Sequence, residues 1–140
     1  MNEHLIVRVV TKLLVPFVLL FGIYVQMHGD FGPGGGFQAG VIFATGFIIY
    51  GLVFGIDRLV AALPLSVLRF GVSGGLLLYA GVGVASLLSG GTFLDYSALD
   101  HHDPVHGQHL GIVLIELGVG ITVASVMTVI YITFAERWHR

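Results

Sequence analysis

Three groups of residues in this sequence have the types and spacing to do chemistry. The first is Glu116, a carboxylate set in the otherwise uncharged run LGIVLIELGVGITV, residues 110–123. A charge at the centre of a membrane helix costs about 2.5 to 3.5 kcal/mol on insertion scales, so it must face protein or a water-filled cavity. On a helix, His109 falls two turns before Glu116 and Gly120 one turn after it, all on one face. An imidazole, a carboxylate and a bare stretch of backbone in line predict a path for a cation or a proton. The structural alternative is a protonated or hydrogen-bonded glutamate that joins helices.

The second group is HGDFGPGGGFQAG, residues 28–40. Its segment from Gly34 to Ala39 formally fits G-x-G-x-x-A, but no strand precedes it, so a dinucleotide site is excluded. No Gly-Lys-Ser/Thr closes it, which excludes a Walker loop. Three glycines after Pro33 leave φ unrestricted, let another segment touch bare backbone, and can point N–H groups at an anion. Gln38, one turn further on, is a polar group that must find a partner. The plainer reading is a tight turn that starts the next helix.

The third group is DHHDPVHGQHL, residues 100–110, with His102, His106 and His109 at spacings a metal could accept. Pro104 and Gly107 are expected to break any helical register there, so no fixed ligand geometry follows and no metal is expected. Histidine is the residue type that changes charge near neutral pH, which fits a hydrated loop exchanging protons at a pore mouth. Haem is not expected either, because His28 and His109 sit at the edges of apolar runs. With no cysteine there is no disulfide, thiolate metal site, iron–sulfur cluster or cysteine nucleophile. No cofactor is therefore expected.

The elements that must position these groups follow from composition. Of 140 residues, 56% are hydrophobic and 10% charged, where soluble domains carry about 25% charged. Mean hydropathy is +0.95. A bilayer core needs about 20 apolar residues per helix, so the length allows four spans in one all-α integral membrane domain, residues 1–140. Charged residues divide the chain into charge-free windows at 13–27, 31–56, 70–94 and 117–135. The first helix is expected to start near Leu5, with Arg8 and Lys12 snorkelling to headgroups or facing protein. The second is expected to start near Phe37 and the fourth near Leu110. No A-x-A-like cleavage site follows the first run at Val25, Gln26, Met27 and His28, so it reads as an uncleaved helix.

Four spans put both termini on one side, with residues 57–69. Arg8, Lys12, Arg58, Arg69, Arg137 and Arg140 all fall there, and the two opposite loops hold no basic residue, so the positive-inside rule places both termini in the cytoplasm. Phe134 and Trp138 suit an interfacial belt on that side. The opposite mouth carries Asp30, Asp95, Asp100 and Asp103 and attracts cations. A formal net charge of -2 without a basic stripe excludes nucleic acid as a partner. Glycine pairs at Gly36/Gly40, Gly51/Gly55 and Gly71/Gly75 offer small faces for close helix packing, within the chain or against other subunits. No internal repeat is present, so the inverted-repeat signature of a self-contained transporter is missing.

HGDFGPGGGFQAGVIFATG resembles the Gly-rich signature of the MrpB or MnhB proteins of multisubunit Na+/H+ antiporters, and the likeness extends over the whole chain to HLGIVLIELGVGITV in its last span. The match falls on Pro33, Gly34, Gly35, Gly36, Phe37, Gln38 and Gly40. The family pattern commonly has a second histidine three residues before the proline, where this chain has Asp30, which weakens any role for an imidazole there. The resemblance implies a non-catalytic subunit, not an enzyme, in a six- or seven-protein assembly of a prokaryotic plasma membrane. Its partners would be the MrpA, MrpC, MrpD, MrpE, MrpF and MrpG proteins, with large members similar to the proton-pumping subunits of respiratory complex I. The assembly would exchange cytoplasmic Na+ for external H+, driven by the proton motive force. This chain would contribute to assembly and line part of the cation route at Glu116 and His109. The alternatives are the corresponding subunit of a complex I-like membrane hydrogenase, a small homodimeric proton-coupled exporter, and a membrane anchor or metalloenzyme subunit using the histidine loop. The exporter type carries its glutamate in the first helix, and here it is in the fourth.

Overall fold

Long apolar runs without charge leave the backbone one way to satisfy its polar groups in a bilayer, which is to close every hydrogen bond within a helix. The computed structural model describes residues 4–29, 31–100 and 102–138, and among them the elements are helical. They are α1 (Leu5–His28), α2 (Gly36–Phe54), the short α3 (Ile56–Ala62), α4 (Leu65–Leu88), a 3-10 turn (Tyr96–Leu99) and α5 (Pro104–Trp138). The helices α1, α2, α4 and α5 are long and apolar enough to cross a membrane. Glu3, Asp30, His101 and Arg140 lie outside the described residues.

Two helix starts and one connection differ from those the charges predict. The third span starts at Leu65 rather than Phe70, because Pro64 supplies a helix-compatible φ of -59° just before it and Arg69 is carried on the helix end. Residues 57–69 are not a plain loop, since α3 occupies their first half. The fourth span starts at Pro104, six residues before Leu110. Pro104 and Gly107 therefore do not break the register. Proline fits the first helical position, and the Asp103 side chain caps the helix by accepting from the N–H groups of Val105 (3.1 Å) and His106 (3.3 Å). Gly107 is buried where a Cβ would stand 2.8 Å from the Tyr96 carbonyl oxygen. At about 1.5 Å per residue the 35-residue α5 is some 52 Å long, so it extends beyond a bilayer core.

The long helices stand in the order α1, α2, α5, α4, with α5 between α2 and α4 and only a light touch between α1 and α5. Small residues set the close seams. Cβ atoms built on Gly75 and Gly118 would stand 2.6 Å and 2.8 Å from each other's carbonyl oxygens, so α4 and α5 meet backbone to backbone. One built on Gly40 would stand 2.8 Å from the Gly120 carbonyl oxygen, and α2 meets α5 the same way. Lipid is as apolar as leucine, so this van der Waals contact replaces the hydrophobic drive of a soluble core. Hydroxyls along the seams donate within their own helix, Thr122 to the Gly118 carbonyl (2.8 Å) and Thr128 to that of Ala124 (2.7 Å), so these two groups enter the interface already satisfied.

The start of α1, the end of α5 and α3 share one end of the bundle. There Leu59, Leu68 and Ile132 form a buried cluster that ties α3 to α4 and α5. Gly55, at φ 96°, permits the sharp break between α2 and α3. Lys12 reaches over the Phe54 ring, 5.8 Å from its centre, which partners a cation inside an apolar helix. The other end carries the α1–α2 connection and the 3-10 turn.

Candidate functional site

Gly35 N–H donates to the Val25 carbonyl (3.3 Å) and Phe31 N–H to that of His28 (3.1 Å), which folds the Gly-rich connection back onto the end of α1. Gly35, at φ 129°, then turns the chain into α2. Side chains rarely adopt that conformation, which is why glycine stands there. The first helical N–H groups of α2 have no partner within the helix, so its N-terminus is the end that attracts negative charge.

That N-terminus lies against Glu116. A Cβ on Gly29 would stand 2.5 Å from both carboxylate oxygens, and one on Gly35 would stand 2.9 Å from Oε1. A Cβ on Gly36 would run into the Glu116 backbone carbonyl. The glycine tract and the α5 carboxylate, far apart in sequence, thus form one site. Gly35, Gly36 and Gly40 are buried, Glu116 and Gly34 are half-buried, and Pro33, Phe37 and Gln38 are exposed. The Gln38 side chain folds back over the start of its own helix, its Oε1 3.7 Å from where a Gly35 Cβ would stand. It stands exposed beside the site rather than lying buried within it.

Glu116 and His109 line one cavity of about 240 Å³ together with Gln26, Phe31 and Val113. His109 is exposed and stands at its outer edge, while the Phe31 ring lies 6.5 Å from the His109 ring and 6.5 Å from that of His28. His28 in turn stacks on Tyr24 at 5.2 Å. An aromatic row therefore joins the end of α1 to the start of the α5 span.

The three histidines of the third group do not converge. His106 Nδ1 lies 3.1 Å from Asp100, His109 faces the cavity, and His102 is exposed. Asp100 also accepts from the backbone N–H groups of His102 (3.0 Å) and Asp103 (3.2 Å). These two backbone bonds and then the His106 side chain hold its carboxyl below the usual carboxylate range. No cluster of three His, Asp or Glu suited to a metal occurs among the described residues.

Gln26 is the member of the site that sequence reasoning missed. It is half-buried on α1, and a Cβ on Gly120 would stand 2.6 Å from its Oε1. The available signal was its type, an amide within the charge-free window of the first span.

An all-helical chain with four potential membrane spans, built on glycine seams around a half-buried carboxylate, is a multi-pass membrane protein. The comparisons with known proteins say of which kind. The family model "Domain related to MnhB subunit of Na+/H+ antiporter" matches residues 6–129. "Putative antiporter subunit mnhB2" of Staphylococcus haemolyticus (strain JCSC1435) is 33% identical over 136 residues, 96% of each chain. The protein of the same name in Staphylococcus aureus (strain Newman) is 32% identical over the same share of both chains. The chain belongs to the MnhB family of antiporter subunits, which gives it other subunits as partners and a multi-pass place in a membrane.

Proposed function

We propose that this chain lines part of the monovalent cation and proton route of a multisubunit Na+/H+ antiporter in a prokaryotic plasma membrane, with both termini cytoplasmic and no catalytic role. Glu116 is the ionisable station, reached from the outside past His109. The observation that carries this reading is the shared cavity of Glu116 and His109, with the glycine-lined N-terminus of α2 against the carboxylate. A carboxylate in that position offers a negative charge to a passing cation or accepts a proton in its place, while the backbone around it keeps it from lipid. The acidic far end, with Asp95, Asp100 and Asp103, concentrates cations at the mouth. One intramembrane carboxylate and no internal repeat make a poor pump, so the driving machinery belongs to the other hydrophobic proteins of the assembly, MrpA and MrpC to MrpG by resemblance.

Glu116→Gln in the fully assembled complex tests the reading. Gln keeps shape and hydrogen bonding but cannot ionise. The expected result is a loss of antiport rate of at least about tenfold, or a shifted pH profile, with normal assembly. Unchanged rate, apparent Na+ affinity and pH profile would leave Glu116 a structural residue.

A further inference from the structure

Two further cavities open between α1 and α5, both with α2 as their floor. One, of about 400 Å³, lies among Ile23, Phe43, Phe47, Ile121 and Ala124, and apart from Gln26 and Ser125 its side chains are apolar. The other, of about 500 Å³, lies where α1 starts and α5 ends, among Arg8, Gly51, Phe54, Tyr131, Ala135 and Trp138. Helical period makes them two stretches of one groove. Phe43, Phe47, Gly51 and Phe54 fall within about 80° on α2, and Ile121, Ala124, Tyr131 and Ala135 within about 80° on α5. At the mouth Arg8 is exposed and makes no ion pair among the described residues. Lys12, one turn on along the same face of α1, holds its ammonium 5.8 Å from the centre of the Phe54 ring. Asp57 and Glu136 are the acids of that end among the described residues, against Arg8, Lys12, Arg58, Arg69 and Arg137, and neither acid lines the cavity. The C-terminus of α2 also opens there, but its partial charge of about -0.5 is outweighed by two full cations. The groove is thus cationic at its mouth and apolar along its depth.

We propose that this groove binds one anionic phospholipid of the leaflet at its basic end, the phosphate held by Arg8 and Lys12 beside Trp138, and an acyl chain lying inward past Tyr131 to Phe47 and Ala124. A phosphate accepts charge-assisted hydrogen bonds from both side chains, and basic pockets between membrane helices attract anionic headgroups. Trp138 brings an amphipathic ring to headgroup level. The reach suits one leaflet. Ala124 lies 11 residues from Ala135, and Ile23 lies 11 residues from Lys12, about 16 Å along the helix in each case, where half of a bilayer core is about 15 Å. The apolar cavity runs about 12 Å along α5, from Leu117 to Ser125, a length over which a helix of about 10 to 12 Å diameter fills about 1000 Å³. With about 400 Å³ it takes an extended hydrocarbon chain and not a partner's helix. Nothing in this site depends on ions passing Glu116.

The test places the photoreactive residue benzoylphenylalanine at position 47 of the assembled complex, in nanodiscs of equal parts phosphatidylglycerol and phosphatidylcholine. After illumination, mass spectrometry of this chain identifies what lies in the groove. Adducts of phosphatidylglycerol should exceed those of phosphatidylcholine about tenfold, as two basic side chains near a headgroup allow. Arg8→Gln together with Lys12→Gln should return the two adducts to equal amounts. Position 23, more than half exposed, takes the photoreactive residue if position 47 does not assemble, and Arg8→Gln alone, at an exposed residue, should still lower the ratio about threefold. Equal adducts in the unmutated groove would make it an ordinary lipid-facing surface. Adducts to another subunit would make it a subunit interface. A preference for phosphatidylglycerol that survived loss of both cations would place the headgroup elsewhere. Each of these three results would overturn the proposal.

Discussion

The Glu116 carboxylate rests on the bare backbone of Gly29, where a Cβ would stand 2.5 Å from both of its oxygens. One residue comes from the middle of α5 and the other from the connection after α1, so the carboxylate's place depends on a glycine 87 positions away in sequence.

Gly29→Ala is expected to assemble and yet change transport. The atoms in its way are the far end of a flexible side chain, which can swing aside, but only by moving the carboxylate. Gly35→Leu adds backbone strain at φ 129° and should lose both assembly and activity. Antiport pH profiles on matched amounts of complex separate the two. A wild-type profile for Gly29→Ala would mean that the carboxylate's position is immaterial.

The glycine seams predict a sharp division among α4 substitutions. Gly75→Ala meets the Gly118 carbonyl and the Thr122 hydroxyl of α5, backbone and fixed side chain that cannot yield cheaply, and overpacking of this kind costs about 1 to 3 kcal/mol. Gly74→Ala and Gly81→Ala meet open space and remove a glycine from a helix, so they should be neutral or slightly stabilising. The yield of intact complex after heating in mild detergent reads the difference.

Topology is open to direct labelling because the chain has no cysteine. Thr92→Cys, exposed at the far end, should react with an impermeant thiol reagent from outside, and Arg58→Cys, exposed on α3, only from the cytoplasm. The reverse pattern would invert the orientation and with it the direction of the proposed Glu116 route.

Asp100 should pin the loop before α5 at neutral pH. Its carboxyl is held below the usual carboxylate range, so the ionised form is the one the fold favours. That contribution is present above the unfolded carboxylate pKa of about 3.9 and is lost as pH falls through the depressed folded value. Hydrogen exchange corrected for intrinsic rates should find the His102 and Asp103 amides protected at about pH 7 and exposed in Asp100→Ala. Equal protection in the variant would show that other contacts hold the turn.

The sequence by itself determined the membrane class, the four spans, the alignment of His109 and Glu116, and the family, because these depend on hydropathy, helical period and an unusual glycine tract, all local properties. It misplaced the starts of α4 and α5 because charge was used as a boundary, whereas Pro64, Pro104 and the Asp103 cap decide where a helix can begin. It could not join the glycine tract to Glu116. The order α1, α2, α5, α4 does that, by laying the N-terminus of α2 across the middle of α5 through contacts between residues about 80 positions apart. Nor could it single out Gln26 or leave Gln38 at the surface, since one residue more or less along a helix rotates a side chain by about 100°, and only the packing of a neighbouring helix says which direction is the groove.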